Sequence, residues 1–161
     1  MKIATIGLPN SPPVCVHSTE SEAELLEYAL KNHPWIKDEF DRIPDGLHIA
    51  GLTVGTSDPA IHVYIAGNLE PLIKKETVIH EALHATNCVL RWRAHGSMER
   101  NKLLIIADSS SILIPTFESM NISIEGVDEE DQALLVSQIS IKIEECLDAL
   151  KTASEGPESN G

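Results

Sequence analysis

Residues 77–86 read TVIHEALHAT, and this short stretch decides how the rest of the chain is read. On an α-helix, His80 and His84 stand one turn apart and about 40° apart in angle, so both imidazoles face one point. Two neutral imidazoles at that spacing suit zinc, which at a catalytic centre takes three protein ligands and keeps a fourth position for water. Glu81 is angled to stand beside that water as general base. The apolar residues around the motif supply a face for packing, so the segment predicts a docked helix that carries metal-ligand chemistry.

Upstream, LHIAGLTVG (47–55) and AIHVYIA (60–66) alternate as strands do and are separated by the turn TSDP, which predicts a hairpin leading into the motif helix. Asn68 is placed to cap that helix, Pro71 suits its first turn, and the helical pattern runs through roughly Leu90. The last strand of the hairpin is then expected to form the edge of a substrate cleft. Downstream, Gly96 and Ser97 punctuate the chain before a second apolar helix, MERNKLLIIADSSSILI (98–114), which Pro115 ends or kinks.

At the N-terminus, KIATIG and VCV predict short strands around the turn LPNSPP. Thr19 with Glu22 forms a capping-box signature for a helix through about Lys31, and HPWIKDEFDRIPDG (33–46) gives mixed signals. Residues 128–152 place Leu134, Leu135, Ile139, Ile141, Ile143, Leu147 and Leu150 at mostly helical spacing, with acidic residues at the start where the helix dipole favours them. Residues 154–161 have no apolar content to bury and are expected to be disordered. No internal repeat is evident. The expectation is one α+β domain over residues 1–153.

The chain has 161 residues, 25 acidic and 12 basic, for a formal charge of −13. Residues 118–161 carry net −9 and residues 1–117 net −4, so the acidity concentrates on the C-terminal helix, where it reads as a solvated outer face. Such a molecule lacks the positive field that nucleic acid or anionic lipid requires, and aromatic residues at 4% offer no base-stacking platform. No apolar run approaches the roughly 20 residues that span a bilayer, and Gly7 and Pro9 interrupt any signal-peptide core. Cys15, Cys88 and Cys146 are widely spaced and odd in number, which predicts free thiols and a cytoplasmic location.

The third metal ligand separates the subclasses of HExxH protein. A metzincin continues H-E-x-x-H-x-x-G-x-x-H, whereas here those positions hold Asn87 and Leu90. Cys88 shares the His80/His84 face but lies ~12 Å from His80 along a straight helix, too far for bonds of about 2.0–2.3 Å, so it reads as a small buried hydrophobe. Glu99, His95 and Asp108 remain as candidates. Glu99 opens the second helix with enough intervening chain to turn back, His95 sits in the basic segment RWRAHG expected as a loop, and Asp108 suits outer-shell or surface roles better.

In AIHVYIA, TVIHEALHA and MERNKLLIIADSSSILI, in that order over roughly residues 50–120, the chain resembles small HExxH zinc metallopeptidase-like proteins of the gluzincin kind, common in phage and prophage genomes. The resemblance implies a minimal zincin-like domain, Zn2+ held by His80, His84 and Glu99, and Glu81 as the catalytic base. It also implies a peptide or protein substrate. The alternative is a non-catalytic, zinc-stabilised interaction module that meets a partner through its acidic C-terminal face. His17, His33, His48 and His62 lie in unrelated segments and read as surface or strand residues. His62 alternates with Tyr64 on the expected edge strand, from which either can point into the cleft toward substrate or an oxyanion. Arg91, Trp92 and Arg93 read mainly as stabilising the end of the motif helix.

Overall fold

A computed structural model describes residues 2–41, 49–56, 59–96 and 129–154. Strand β1 (Lys2–Ile6) turns back into β2 (Val14–Thr19), helix α1 (Glu22–Asn32) follows, then a 3-10 turn (Pro34–Ile36) and the short helix α2 (Lys37–Asp41). The hairpin β3 (Gly51–Thr56) and β4 (Ala60–Ala66) leads into the long helix α3 (Pro71–His95), and α4 (Glu129–Ser154) closes the described chain. The fold is α+β: the described residues form one mixed four-stranded sheet, ordered β1-β2-β4-β3, with three long helices.

The expected β3-β4 hairpin is present, and the short strands expected around LPNSPP pair as a second antiparallel hairpin, β1-β2. Between them β2 and β4 pair in parallel, with Cys15 opposite His62 and His17 opposite Tyr64. This corrects the expectation that β4 is the edge of the sheet. Its two sides are taken by β2 and β3, so the edge beside the motif helix is β3.

Strand alternation sorts the side chains onto two faces. Val14, Val16, Ile61, Val63 and Ile65 point to one face, where Val78, Ala82, Ala85 and Val89 of α3 and Leu135, Ile139, Ile143 and Leu147 of α4 cover them. Leu52, Val54, Tyr64 and Ala66 point to the other, covered by Leu25 and Ala29 of α1 and by Ile36. In α4 the buried stripe recurs every four residues, so Leu134 and Ile141, expected on the apolar face, are 60% and 57% exposed. The C-terminal acidic residues Asp131, Glu144, Glu145 and Asp148 are exposed, as a solvated face requires.

Two caps differ from expectation. Ser21, not Thr19, caps α1, its Oγ accepting from the Glu24 amide while the Glu24 carboxylate accepts from the Glu20 amide. Thr19 stays in β2 because its hydroxyl donates to the Ile65 carbonyl of β4 at 3.0 Å. Helix α3 starts from Glu70 with no side-chain cap, not from Asn68. A residue before proline is driven to extended geometry, and Glu70 adopts it (φ −59°, ψ 147°), so the helix begins at Pro71 itself. Gly96 then ends α3 in the left-handed region (φ 67°), which a residue without Cβ adopts at little cost.

Beyond Leu90, α3 continues through RWRAH to His95, so that segment is helix and not loop. The Arg93 guanidinium donates to the Pro9 carbonyl at 2.8 Å, tying this end of α3 to the β1-β2 turn. No helix among the described residues is long and apolar enough to cross a membrane. The second apolar helix expected at 98–114, His48 and most of the tail expected to be disordered lie outside the described residues.

Candidate active site

Helix α3 is clamped between the sheet and α4, and its residues 84–90 are buried without interruption. The HEALH segment sits where α3 passes the edge strand β3. On the face of β3 that meets α3, Gly51 and Thr53 lie two residues apart. A Cβ on Gly51 would stand 2.7 Å from Thr77 Cγ2 and 2.9 Å from Glu81 Cγ, so glycine lets the helix approach at the level of Glu81. Thr53 Oγ1 donates to Glu81 Oε2.

Glu81 is fully buried, and its second carboxyl oxygen, Oε1, has no partner among the described residues. Burial pushes its pKa up to about 8, against the smaller opposing effect of the Thr53 hydroxyl. One turn along, His80 and His84 meet edge to face with ring centroids 4.8 Å apart. His84 is 3% exposed and its Nε2 is likewise without a partner. Burial, then the neighbouring His80, lowers its pKa to about 2, and burial lowers that of His80. Both rings are therefore neutral at ordinary pH, with lone pairs available to a cation.

Buried polar atoms without partners are rare because each costs about 1–3 kcal/mol. Of the unpartnered atoms on α3, Glu81 Oε1 and His84 Nε2 lie within one turn of each other beside the second imidazole, His80, and fit a cation site with nitrogen donors from His80 and His84, while Asn87 Nδ2 lies one turn further on. Among the described residues no group of three His, Cys, Asp or Glu side chains is gathered as a metal cage. Glu99, expected as the third ligand, and Asp108 lie outside the described residues. His95, weighed as an alternative, is the last residue of α3, eleven residues after His84. Cys88 is 3% exposed and packs in the core between the sheet and α4, as expected of a small hydrophobe.

His62 and Tyr64 do not reach this site. They point to the opposite face of the sheet, beneath α1, and there gather with His17 and His33 in a cluster that reading each histidine singly missed. His17 Nε2 and His62 Nδ1 share a hydrogen bond of 2.9 Å, His33 Nε2 and the Tyr64 hydroxyl another of 2.9 Å, and the Tyr64 ring stacks on His17 at 4.2 Å. The one available signal was parity, since Cys15 and His17 share a face of β2 just as His62 and Tyr64 share a face of β4.

This second cluster has a measurable consequence. Burial, then the neighbouring rings of His62 and His33, lowers the His17 pKa to about 3, and burial followed by His62 lowers that of His33 to about 4. The unfolded chain binds a proton at each below pH about 6.5, and the folded chain does not. These residues therefore contribute stability that is present above pH 6.5 and is lost as pH falls toward 4. Thermal unfolding between pH 4 and 7 should show His17→Gln less acid-sensitive than the parent, by at most about 1.4 kcal/mol per pH unit. Parallel pH profiles for the two would contradict the linkage.

Comparison with models of known protein families, with curated proteins and with solved structures finds no match to this chain.

Proposed function

We propose that the HEALH segment is the centre of a zinc-dependent peptide hydrolase of minimal zincin type. The observation that carries this reading is the pair of buried, unpartnered atoms, His84 Nε2 and Glu81 Oε1, held beside His80 against the edge strand β3. When bound, zinc would polarise a peptide carbonyl and acidify a water. His80 and His84 would hold the ion through nitrogens already free of protons. Glu81 would accept a proton from the attacking water at its carboxylate and return it to the leaving amine. Thr53 fixes the rotation of that carboxylate by donating to one oxygen, which leaves the other for the proton. Glu99 remains the proposed third ligand, on the resemblance of the sequence.

One observation favours the second reading, a zinc-stabilised module without catalysis. Glu81 is sealed from solvent by Gly51, Thr53 and Thr77, whereas a general base has to meet a water. Incubation of the zinc-loaded protein with a library of unstructured peptides, followed by mass spectrometry, separates the two. Cleavage that stops on chelation and returns with zinc is the expected result. Zinc-dependent stabilisation without any cleavage would instead establish the module.

A further inference from the structure

A crevice at the carboxyl ends of β2 and β4 shares no residue with the HEALH segment. The two strands are parallel neighbours. The chain leaving β2 turns into α1 on one face of the sheet, and the chain leaving β4 turns into α3 on the other. Where connections part to opposite faces, the gap between the strand ends is left uncovered, and ligands of open α/β sheets bind in such gaps. In this protein the gap is a cavity of about 330 Å3. That volume lies within the range of small-molecule sites.

The crevice is tightly built. Its two strand ends meet backbone to backbone, for a Cβ on Gly67 would stand 2.2 Å from the Thr19 carbonyl oxygen. The Thr19 hydroxyl, donating to the Ile65 carbonyl, fixes the same junction.

Charge is distributed against the trend of the molecule. Lys2 of β1, Lys74 of α3 and Lys151 of α4 all line the cavity, and Glu20 is the one carboxylate among them. The chain holds 12 basic residues within a net charge of −13, so three of them at one crevice stand out from the overall charge. None of the three is in an ion pair among the described residues. Lys2 Nζ donates instead to the Leu150 carbonyl at 3.1 Å, which holds its ammonium at the cavity wall. An ammonium that lines a cavity attracts an anion placed within it.

We propose that this crevice binds a small phosphate monoester. Among the described lining residues three ammoniums and one carboxylate leave a charge of +2, which a phosphate monoester of about −1.5 to −2 at pH 7 balances and a single carboxylate does not. Lysine serves phosphate as a point charge. Glu20 and Ser18 then face the hydroxyl-bearing body of the ligand. The site is independent of the zinc reading.

The test is a titration of the 15N-labelled full chain with glycerol 1-phosphate at constant ionic strength. Saturable shifts of the Ser18, Glu20 and Gly67 amides are expected. Lys74→Gln and Lys151→Gln should each weaken binding about tenfold or more, with dispersed spectra showing that both variants fold. Lys37→Gln should leave affinity unchanged, because Lys37 is an exposed residue paired with Asp41. Non-saturable shifts, equal affinity for sulfate, or unchanged affinity in both cavity variants would each overturn the assignment.

Discussion

His84→Ala is expected to strip the protein of stoichiometric zinc. The His84 ring is buried and neutral, and its Nε2 has no partner among the described residues, so no hydrogen bond there has to be displaced by a cation. In the proposed site its removal would delete a direct donor. The loss of affinity should therefore exceed the roughly 10–100-fold typical of losing a group that only orients a ligand. His80→Ala should do the same, since its ring is the other half of the pair. Metal content after dialysis, together with competition against a chromophoric chelator, measures the effect. Equal zinc retention by both variants would remove the basis for a metal centre on α3.

Glu81→Gln should separate chemistry from metal binding. The amide keeps the size of the carboxyl group and can still accept from Thr53, yet it cannot take a proton, so zinc content should persist while any peptide cleavage disappears. The same variant tests the electrostatics without metal. Folding raises the Glu81 pKa to about 8 from its ordinary 4.5, so the folded protein holds a proton that the unfolded chain releases. Stability from this group is complete below pH 4.5 and is lost as pH rises through 8. Metal-free Glu81→Gln should thus be more stable than the parent at pH 8, by an amount on the order of a few kcal/mol, and should lose that part of the pH dependence. Zinc, if bound as proposed, would reverse the balance in the parent by favouring the carboxylate. An identical pH profile for parent and variant, both metal-free, would show that Glu81 is not held protonated.

What was legible in the sequence was local. The placement of His80, Glu81 and His84 on one helix follows from a four-residue spacing, and both hairpins follow from alternation around short polar turns. Capping was ambiguous because Thr19 with Glu22 and Ser21 with Glu24 present the same signature two residues apart. Only the pairing of β2 with β4 decides between them, by holding Thr19 in the strand. That pairing joins segments about 45 residues apart, as does the His17–His62 hydrogen bond it creates, and no local pattern encodes it. For the same reason the interior position of β4, the contact of Thr53 with Glu81 and the charged crevice at the strand ends were not readable. The proposed role of Glu99 rests on resemblance alone, because the residue lies outside the described part of the chain.

The place of α4 in the core bears on how the protein is made. Leu135, Ile139, Ile143 and Leu147 cover the same sheet face as α3, and Lys2 of β1 is joined to Leu150 across 148 positions. A ribosome adding roughly 5–20 residues per second takes on the order of 3–12 s to pass from the end of α3 to the end of α4. Throughout that interval Val14, Val16 and Ile6 lack the cover that α4 supplies, and β3 is the edge of the sheet among the described residues. A chain synthesised only through α3 therefore exposes this apolar sheet face until α4 has been added.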